Sequence, residues 1–358
     1  MGEQLKALDI SELDSFLNQV DSGLREYLPG VSLAEILRKP GSLPWYDPFD
    51  LATRILSTFF REIRANAGLL GQLICLAVLA NFLTSAITGF GYEGTSRIAQ
   101  WVSFLVLAVI GLSSFRIAIG IARDAITGMT SLMYVLLPSM FSILSAVGGI
   151  TQVAILSPIL LAAVNAVAHI TGAVTFPAIF LAGLFDVLGT TSDRVQVSRL
   201  AGLFKEAAII VLGLSFALFL GVVTIRGAGA AVVDNVAVRS AKFLTGTFVP
   251  VVGKMFSDAV GVAAGCSLLI QSSLRLVGLL GVLAICLDPV LKILAIVTMY
   301  RLASALVQPL GDEKISMCLA MLAGGLSLVA VVVGVVALMF FTTIGMLAGL
   351  GSATAAAR

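Results

Sequence analysis

Residues 125–185 read AITGMTSLMYVLLPSMFSILSAVGGITQVAILSPILLAAVNAVAHITGAVTFPAIFLAGLF, a run of 61 residues without one Asp, Glu, Lys or Arg. A helix crosses the hydrocarbon of a bilayer with roughly 20 apolar residues, so this run alone holds two or three passes. A second charge-free run, 43 residues long, lies between Lys314 and Arg358. Backbone amides in lipid must pair internally, which leaves helices and closed barrels. A barrel would show short alternating segments, whereas these runs are continuously apolar. The fold class is therefore all-α: a polytopic, multi-pass helical membrane protein whose first partner is the lipid bilayer.

Composition agrees. Hydrophobic residues make up 59% of the 358 and charged residues 12%, and mean hydropathy is +1.06. Soluble domains run nearer 45–50% apolar and about 25% charged. An ordinary water-soluble enzyme is excluded, and so is a disordered chain. The net charge of +2 gives no electrostatic case for nucleic acid, which requires a strongly basic face.

Nine apolar stretches can be placed, near Gly68–Ile87, Gln100–Ile121, Gly128–Val147, Thr151–Ile170, Ala173–Leu188, Ala207–Ile225, Ala259–Leu287, Leu291–Leu306 and Met317–Leu347. They predict about seven to nine transmembrane helices over 65–358. The last is long enough to tilt, or to break at Gly324-Gly325 or Gly334. Lys and Arg mark cytoplasmic loops, but here they occur at successive helix ends (Arg61 and Arg64, Arg97, Arg116 and Arg123), so charge does not set the orientation.

Residues 1–64 differ from the rest. They hold 10 of the 20 acidic and 7 of the 22 basic residues, giving −3 against +5 for the remainder. Leu13, Phe16, Leu17, Val20, Leu24, Tyr27 and Leu28 recur at helical spacing, and Pro29, Pro40 and Pro44 separate short amphipathic pieces. Asp47-Pro48 supplies a cap followed by proline at the first helical position. The helix it opens carries Leu51, Ile55, Leu56, Phe59, Phe60 and Ile63 on one side. Such a helix suits either the membrane interface or a small soluble cap. Met1 to Asp9 shows no basic start followed by an apolar core, so no signal peptide is predicted.

Motifs of chemistry are absent. Gly89-x-Gly91-x-x-Gly94 matches a dinucleotide fingerprint by letter, but it joins two spans instead of opening a helix after a strand. Gly253-Lys254 lacks the upstream glycine and the following Ser or Thr of a P-loop. HExxH and GxSxG do not occur. The single His169 reads as a packing or lumen residue, and Cys75, Cys266, Cys286 and Cys318 read as buried free thiols. No catalytic residue, metal site or cofactor is predicted, and the chain is not expected to be an enzyme.

The segment 226–258 stands apart. At about 100° per residue, Asp234, Asn235, Arg239 and Lys242 share one arc while Val232, Val236, Ala237, Ala241 and Phe243 occupy the other side. Lys254 and Asp258 are spaced i, i+4 and can pair. Gly227 and Gly229 permit a sharp break, and Pro250 removes a helical hydrogen bond. Charges at membrane depth are costly and mark water-lined paths or helix contacts, and Arg275 raises the same question in the next span. Asp234, Arg239, Lys242, Pro250, Lys254, Asp258 and Arg275 are the candidate pore-lining or partner-contact residues, on an amphipathic or re-entrant segment. Headgroup-level snorkelling is the alternative. Pro138, Ser145 and Gly149 recur as Pro250, Ser257 and Gly261, an offset of 112 residues; proline-interrupted segments in matching halves are a transporter signature.

GAGAAVVDNVAVRSAKFLTGTFVPVVGKMFSDA, followed by YRLASALVQPLG from Tyr300 to Gly311, closely resembles the stage III sporulation protein AE family of endospore-forming bacteria, from about Pro48 to the C-terminus. The resemblance implies a membrane component of the channel, or feeding-tube, apparatus, which is secretion-like and joins mother cell and forespore. It implies a place in the mother-cell membrane surrounding the forespore. Partners implied are other stage III sporulation membrane proteins, namely ring-forming subunits and small membrane subunits, together with a secretion-type ATPase and a forespore-side protein. Family members usually begin with a signal sequence, which implies that residues 1–64 are extracytoplasmic. No catalytic residue comes with the resemblance. An autonomous secondary transporter or permease with proline-broken helices is the alternative reading of the same chain.

Overall fold

In the computed structural model, residue 36 and residues 48–89, 93–146, 149–191, 198–248, 250–310 and 313–356 are described, with the side chains of 225–269 the longest stretch outside that description. Every regular element among the described residues is helical. From Pro48 onward, eight α-helices follow one another among the described residues: α1 (Pro48–Ala65), α2 (Ala67–Gly89), α3 (Glu93–Ala146), α4 (Ile150–Ile170), α5 (Phe176–Thr191), α6 (Ser198–Phe248), α7 (Pro250–Val307) and α8 (Glu313–Ala356). A π-helical turn, Thr171–Thr175, joins α4 to α5, and a 3-10 turn, Gln308–Leu310, closes α7.

The all-α membrane reading holds, but the expected count of seven to nine spans is too high. Five helices among the described residues are long and apolar enough to cross a membrane, or six if the bent α1–α2 pair forms one span. The reason is that neighbouring apolar stretches fuse. Gln100–Ile121 and Gly128–Val147 are parts of the single 54-residue α3, which passes through Arg116, Arg123 and Asp124 without a loop. Thr151–Ile170 and Ala173–Leu188 run on through the π turn as one apolar rod, Ile150–Thr190. Ala259–Leu287 and Leu291–Leu306 both lie in α7, which continues past Pro289. α8 continues unbroken through Gly324, Gly325 and Gly334.

Proline fails to break these helices because a membrane rod has no competing solvent for its freed carbonyls, and nearby hydroxyls can take up the slack. The carbonyl that Pro138 leaves without its N–H partner is that of Tyr134, and the neighbouring turns carry extra bonds: Ser142 Oγ donates to the Pro138 carbonyl at 3.0 Å and Ser139 Oγ to Val135 O at 3.3 Å. Pro250 lies where one helix ends, at Phe248, and the next begins. It stands at the first position of α7, where the missing N–H is unpaired in any helix. The break that Gly227 and Gly229 permit is not made, since α6 continues through both to Phe248. Pro138 inside a helix and Pro250 at the start of one are not equivalent, so the offset of 112 residues does not correspond to a repeated broken helix.

At the N-terminal end, α1 begins at Pro48 as its Asp-Pro start predicts, and it meets α2 at a 45° bend. It packs along α7 while Phe49, Leu56 and Phe60 stay exposed. The amphipathic pieces expected before Asp47 lie outside the described residues.

The core is built by α3, α7 and α8, with α5 and α6 packed on α8. Leu319, Leu322, Leu326, Val329, Val333, Val336 and Phe340 form the buried stripe of α8. In lipid no hydrophobic force draws helices together, so close packing on small residues has to do it. A Cβ added to Gly281 of α7 would lie 2.9 Å from Leu132 of α3, and one on Gly111 of α3 would lie 2.7 Å from Leu322 of α8. The tightest junction is at Phe115. Its ring is fully buried and fills the space where a Cβ on Gly183 of α5 (2.7 Å) or Gly325 of α8 (2.5 Å) would stand. Three helices thus meet on one ring. The outer faces carry Leu105, Val109, Leu214, Leu218, Val331 and Leu338, all exposed, a pattern that suits a lipid surround. Cys75, expected to be buried, is exposed on α2, while Cys318 is buried as expected and Cys286 is intermediate; all three are free thiols.

Overpacking a close-packed site typically costs 1–3 kcal/mol. Gly325→Val should therefore lower the thermal midpoint of the purified protein in detergent, and Phe115→Ala, which empties a buried aromatic site at a cost of about 3–5 kcal/mol, should lower it further. In the double variant the valine enters the space left by the ring, so the combined loss should fall well short of the sum. Strictly additive losses would show that the ring and Gly325 are not in contact.

Candidate functional site

The sequence-derived candidates divide between two helices. Asp234, Arg239 and Lys242 fall on α6, and Pro250, Lys254, Asp258 and Arg275 fall on α7. The side chains of 225–269 lie outside the described residues, so neither the polar arc of Asp234, Arg239 and Lys242 nor the Lys254–Asp258 pair can be placed against neighbours. Arg275 is described and is exposed on α7. One turn earlier, buried Gln271 donates its Nε2 to the Leu347 carbonyl of α8 at 3.2 Å.

Polar groups that the sequence reading passed over tie the described helices together. Tyr300 of α7, fully buried, donates its hydroxyl to Ser114 Oγ of α3 at 2.7 Å. Ser304 Oγ donates to the Ser316 carbonyl at 2.9 Å and Ser316 Oγ to the Ser304 carbonyl at 3.0 Å, a reciprocal clasp between the end of α7 and the start of α8. Tyr134 of α3 donates to Asn165 Oδ1 of α4. Such interhelical bonds average about 0.6 kcal/mol in membranes, so they fix register more than they add stability.

Two charged features stand out. Lys205 Nζ of α6 lies 2.7 Å from Asp186 Oδ2 of α5, and the Asp186 side chain is only 6% exposed. Asp186 also lines a cavity of 410 Å³, together with Thr190, Glu313, Lys314 and Met317. A second cavity, of 690 Å³, lies between α3 and the start of α5. Arg116 and Arg123 both line it, and Arg123 Nη2 donates to the Gly172 carbonyl in the π turn at 3.2 Å. The Asp288–Lys292 pair on α7, at 2.7 Å, is an ordinary i, i+4 contact on a half-exposed face. Among the described residues no group of three His, Cys, Asp or Glu is placed to hold a metal ion. His169, expected to pack or to face a lumen, is exposed on α4.

The signal for Asp186–Lys205 was present in the sequence. Asp186 ends the 61-residue charge-free run, and Lys205 is the second basic residue of the next apolar helix. A charge at that depth needs a partner. The pairing crosses between helices, however, so no i, i+4 spacing announces it.

Comparison with known proteins gives these features a context. The family model described as stage III sporulation protein AE matches residues 44–351. The chain belongs to the stage III sporulation protein AE family. A relative from Bacillus subtilis (strain 168), named "Stage III sporulation protein AE", is 30% identical over 348 residues, which is 97% of this chain and 87% of that protein. No solved structure matches the chain. Membership of the family places the chain among sporulation proteins, and its apolar helices make it a membrane protein. The match runs through Asp186, Lys205, Arg116, Arg123 and the whole of 226–258.

Breaking a buried ion pair by removing one partner typically costs 3–5 kcal/mol. Lys205, a quarter exposed, can relax outward, so Asp186→Ala should sit near the low end, about 3 kcal/mol. Asp186→Leu combined with Lys205→Met should recover most of that loss, as read by thermal unfolding in detergent and by steady-state protein level. A double variant no more stable than Asp186→Ala would mean that the pair does not act as a unit.

Proposed function

We propose that this chain is an integral membrane component of the channel, or feeding-tube, apparatus joining mother cell and forespore, seated in the mother-cell membrane that surrounds the forespore. The observation that carries the reading is the family match over nearly the whole polytopic region. In this reading the chain works with ring-forming membrane proteins, small membrane subunits, a secretion-type ATPase and a forespore-side protein, and residues 1–64 project out of the mother-cell cytoplasm. The segment 226–258 is its contact with those partners or its contribution to the conducting path. Arg239 and Asp258 are the residues through which the segment acts, and no catalytic role is assigned.

One structural feature weighs against the autonomous permease. Alternating access uses discontinuous helices around a central site, whereas Pro138, Pro158 and Pro289 sit inside helices that continue past them. Among the described residues α3, α5 and α8, which meet on Phe115, are each continuous, which suits a fixed scaffold.

Tagged protein, restored to a sporulating strain lacking its own copy, should co-purify with the ring-forming subunits and the ATPase. Arg239→Ala and Asp258→Ala should leave its abundance unchanged and cut spore yield. Purification without companions, together with solute uptake by the pure protein in liposomes, would favour the permease instead.

A further inference from the structure

We infer that the groove between α3 and α5 is a binding site for the phosphate of an anionic phospholipid, with Arg116 and Arg123 as its ligands. This inference does not depend on the channel reading.

The two arginines are seven residues apart, which is about two turns and 10 Å along α3. Both line the same 690 Å³ cavity. Gly120 lies between them, and a Cβ there would meet nothing within 4 Å, so the floor between the guanidinium groups is open. Arg123 is held in place by its bond to Gly172 O, which uses one of five N–H donors. Arg116 is exposed and forms no ion pair with any described residue. Its planar fork is therefore available for the bidentate contact that a phosphate accepts. Asp124 is exposed beside Arg123 but does not line the cavity, so the groove keeps its positive charge.

The remaining wall argues for a lipid over a free ion. Leu112, Ile119, Phe176 and Phe180 line the groove around the arginines, a surface suited to glycerol and acyl carbons and wasted on inorganic phosphate. Basic pockets between transmembrane helices are where anionic headgroups bind.

The test is a titration of the full-length purified protein with phosphatidylglycerol, followed by native mass spectrometry. Parallel titrations use phosphatidylcholine and inorganic phosphate. One arginine near a headgroup is worth about a five-fold change in affinity, so Arg116→Gln should weaken phosphatidylglycerol binding about five-fold and the double Arg116→Gln/Arg123→Gln about 30-fold. Arg116→Lys should retain most of the binding, and Arg199→Gln, which removes an exposed arginine at the start of α6, should leave it unchanged. Since Arg123 also holds the π turn, Arg116→Gln alone carries the test if the double variant does not fold. Unchanged affinity in Arg116→Gln, or equal binding of phosphatidylcholine, would overturn the site. Displacement of the lipid by millimolar inorganic phosphate would assign the groove to the soluble ion and overturn the lipid.

Discussion

Phe115 is the contact on which the rest of the bundle depends. Its ring occupies the space left by two missing side chains, Gly183 on α5 and Gly325 on α8, so three helices approach as closely as their backbones allow. In water, apolar burial alone would bring such helices together. In lipid the tails are as apolar as the side chains, and only tighter dispersion contacts favour protein over lipid. The same logic places Gly111 against Leu322 and Gly281 against Leu132. Because Phe115 turns inward, Arg116 at the next position faces out along α3, and with Arg123 it lines the groove beside α5.

Polar groups act on this frame in a second way. Tyr300 to Ser114, Ser304 to Ser316, Gln271 to Leu347 and Asp186 to Lys205 each join two different helices. None replaces the apolar packing, but each is satisfied in only one register, so together they select one arrangement among many of similar dispersion energy. The helices they join are long. The apolar stretch of α3, Phe104–Ala146, rises about 65 Å, twice the hydrocarbon thickness.

Much of the fold was legible in the sequence because lipid imposes one rule: the 61-residue run could only be helix. The start of α1 at Pro48 was legible for a local reason, the Asp-Pro pair. The span count was not, because Arg116, Arg123 and Asp124 look like a loop when read by charge alone. The helix continues through them since Arg123 finds a carbonyl on the π turn and Arg116 opens onto the groove. Proline and glycine misled for a related reason. Pro289 and Gly227 are breakers in water, but here the helix continues past both. Of the candidate site, the sequence isolated 226–258 by its polar arc, and the structure adds that it is continuous helix up to Phe248. The Asp186–Lys205 pair and the arginine groove depend on which helices are neighbours, and no single-chain periodicity encodes that.

The most direct measurement of the close-packed frame is oxidative cross-linking of paired cysteines in native membranes, with Cys75, Cys266, Cys286 and Cys318 replaced. Gly111→Cys with Leu322→Cys, and Gly281→Cys with Leu132→Cys, should each cross-link rapidly within one chain. Gly111→Cys with Val331→Cys, whose α8 position is exposed, should not. Cross-linking of the Val331 pair as fast as the Leu322 pair, or none at Gly281 and Leu132, would contradict the packing of α3 against α7 and α8.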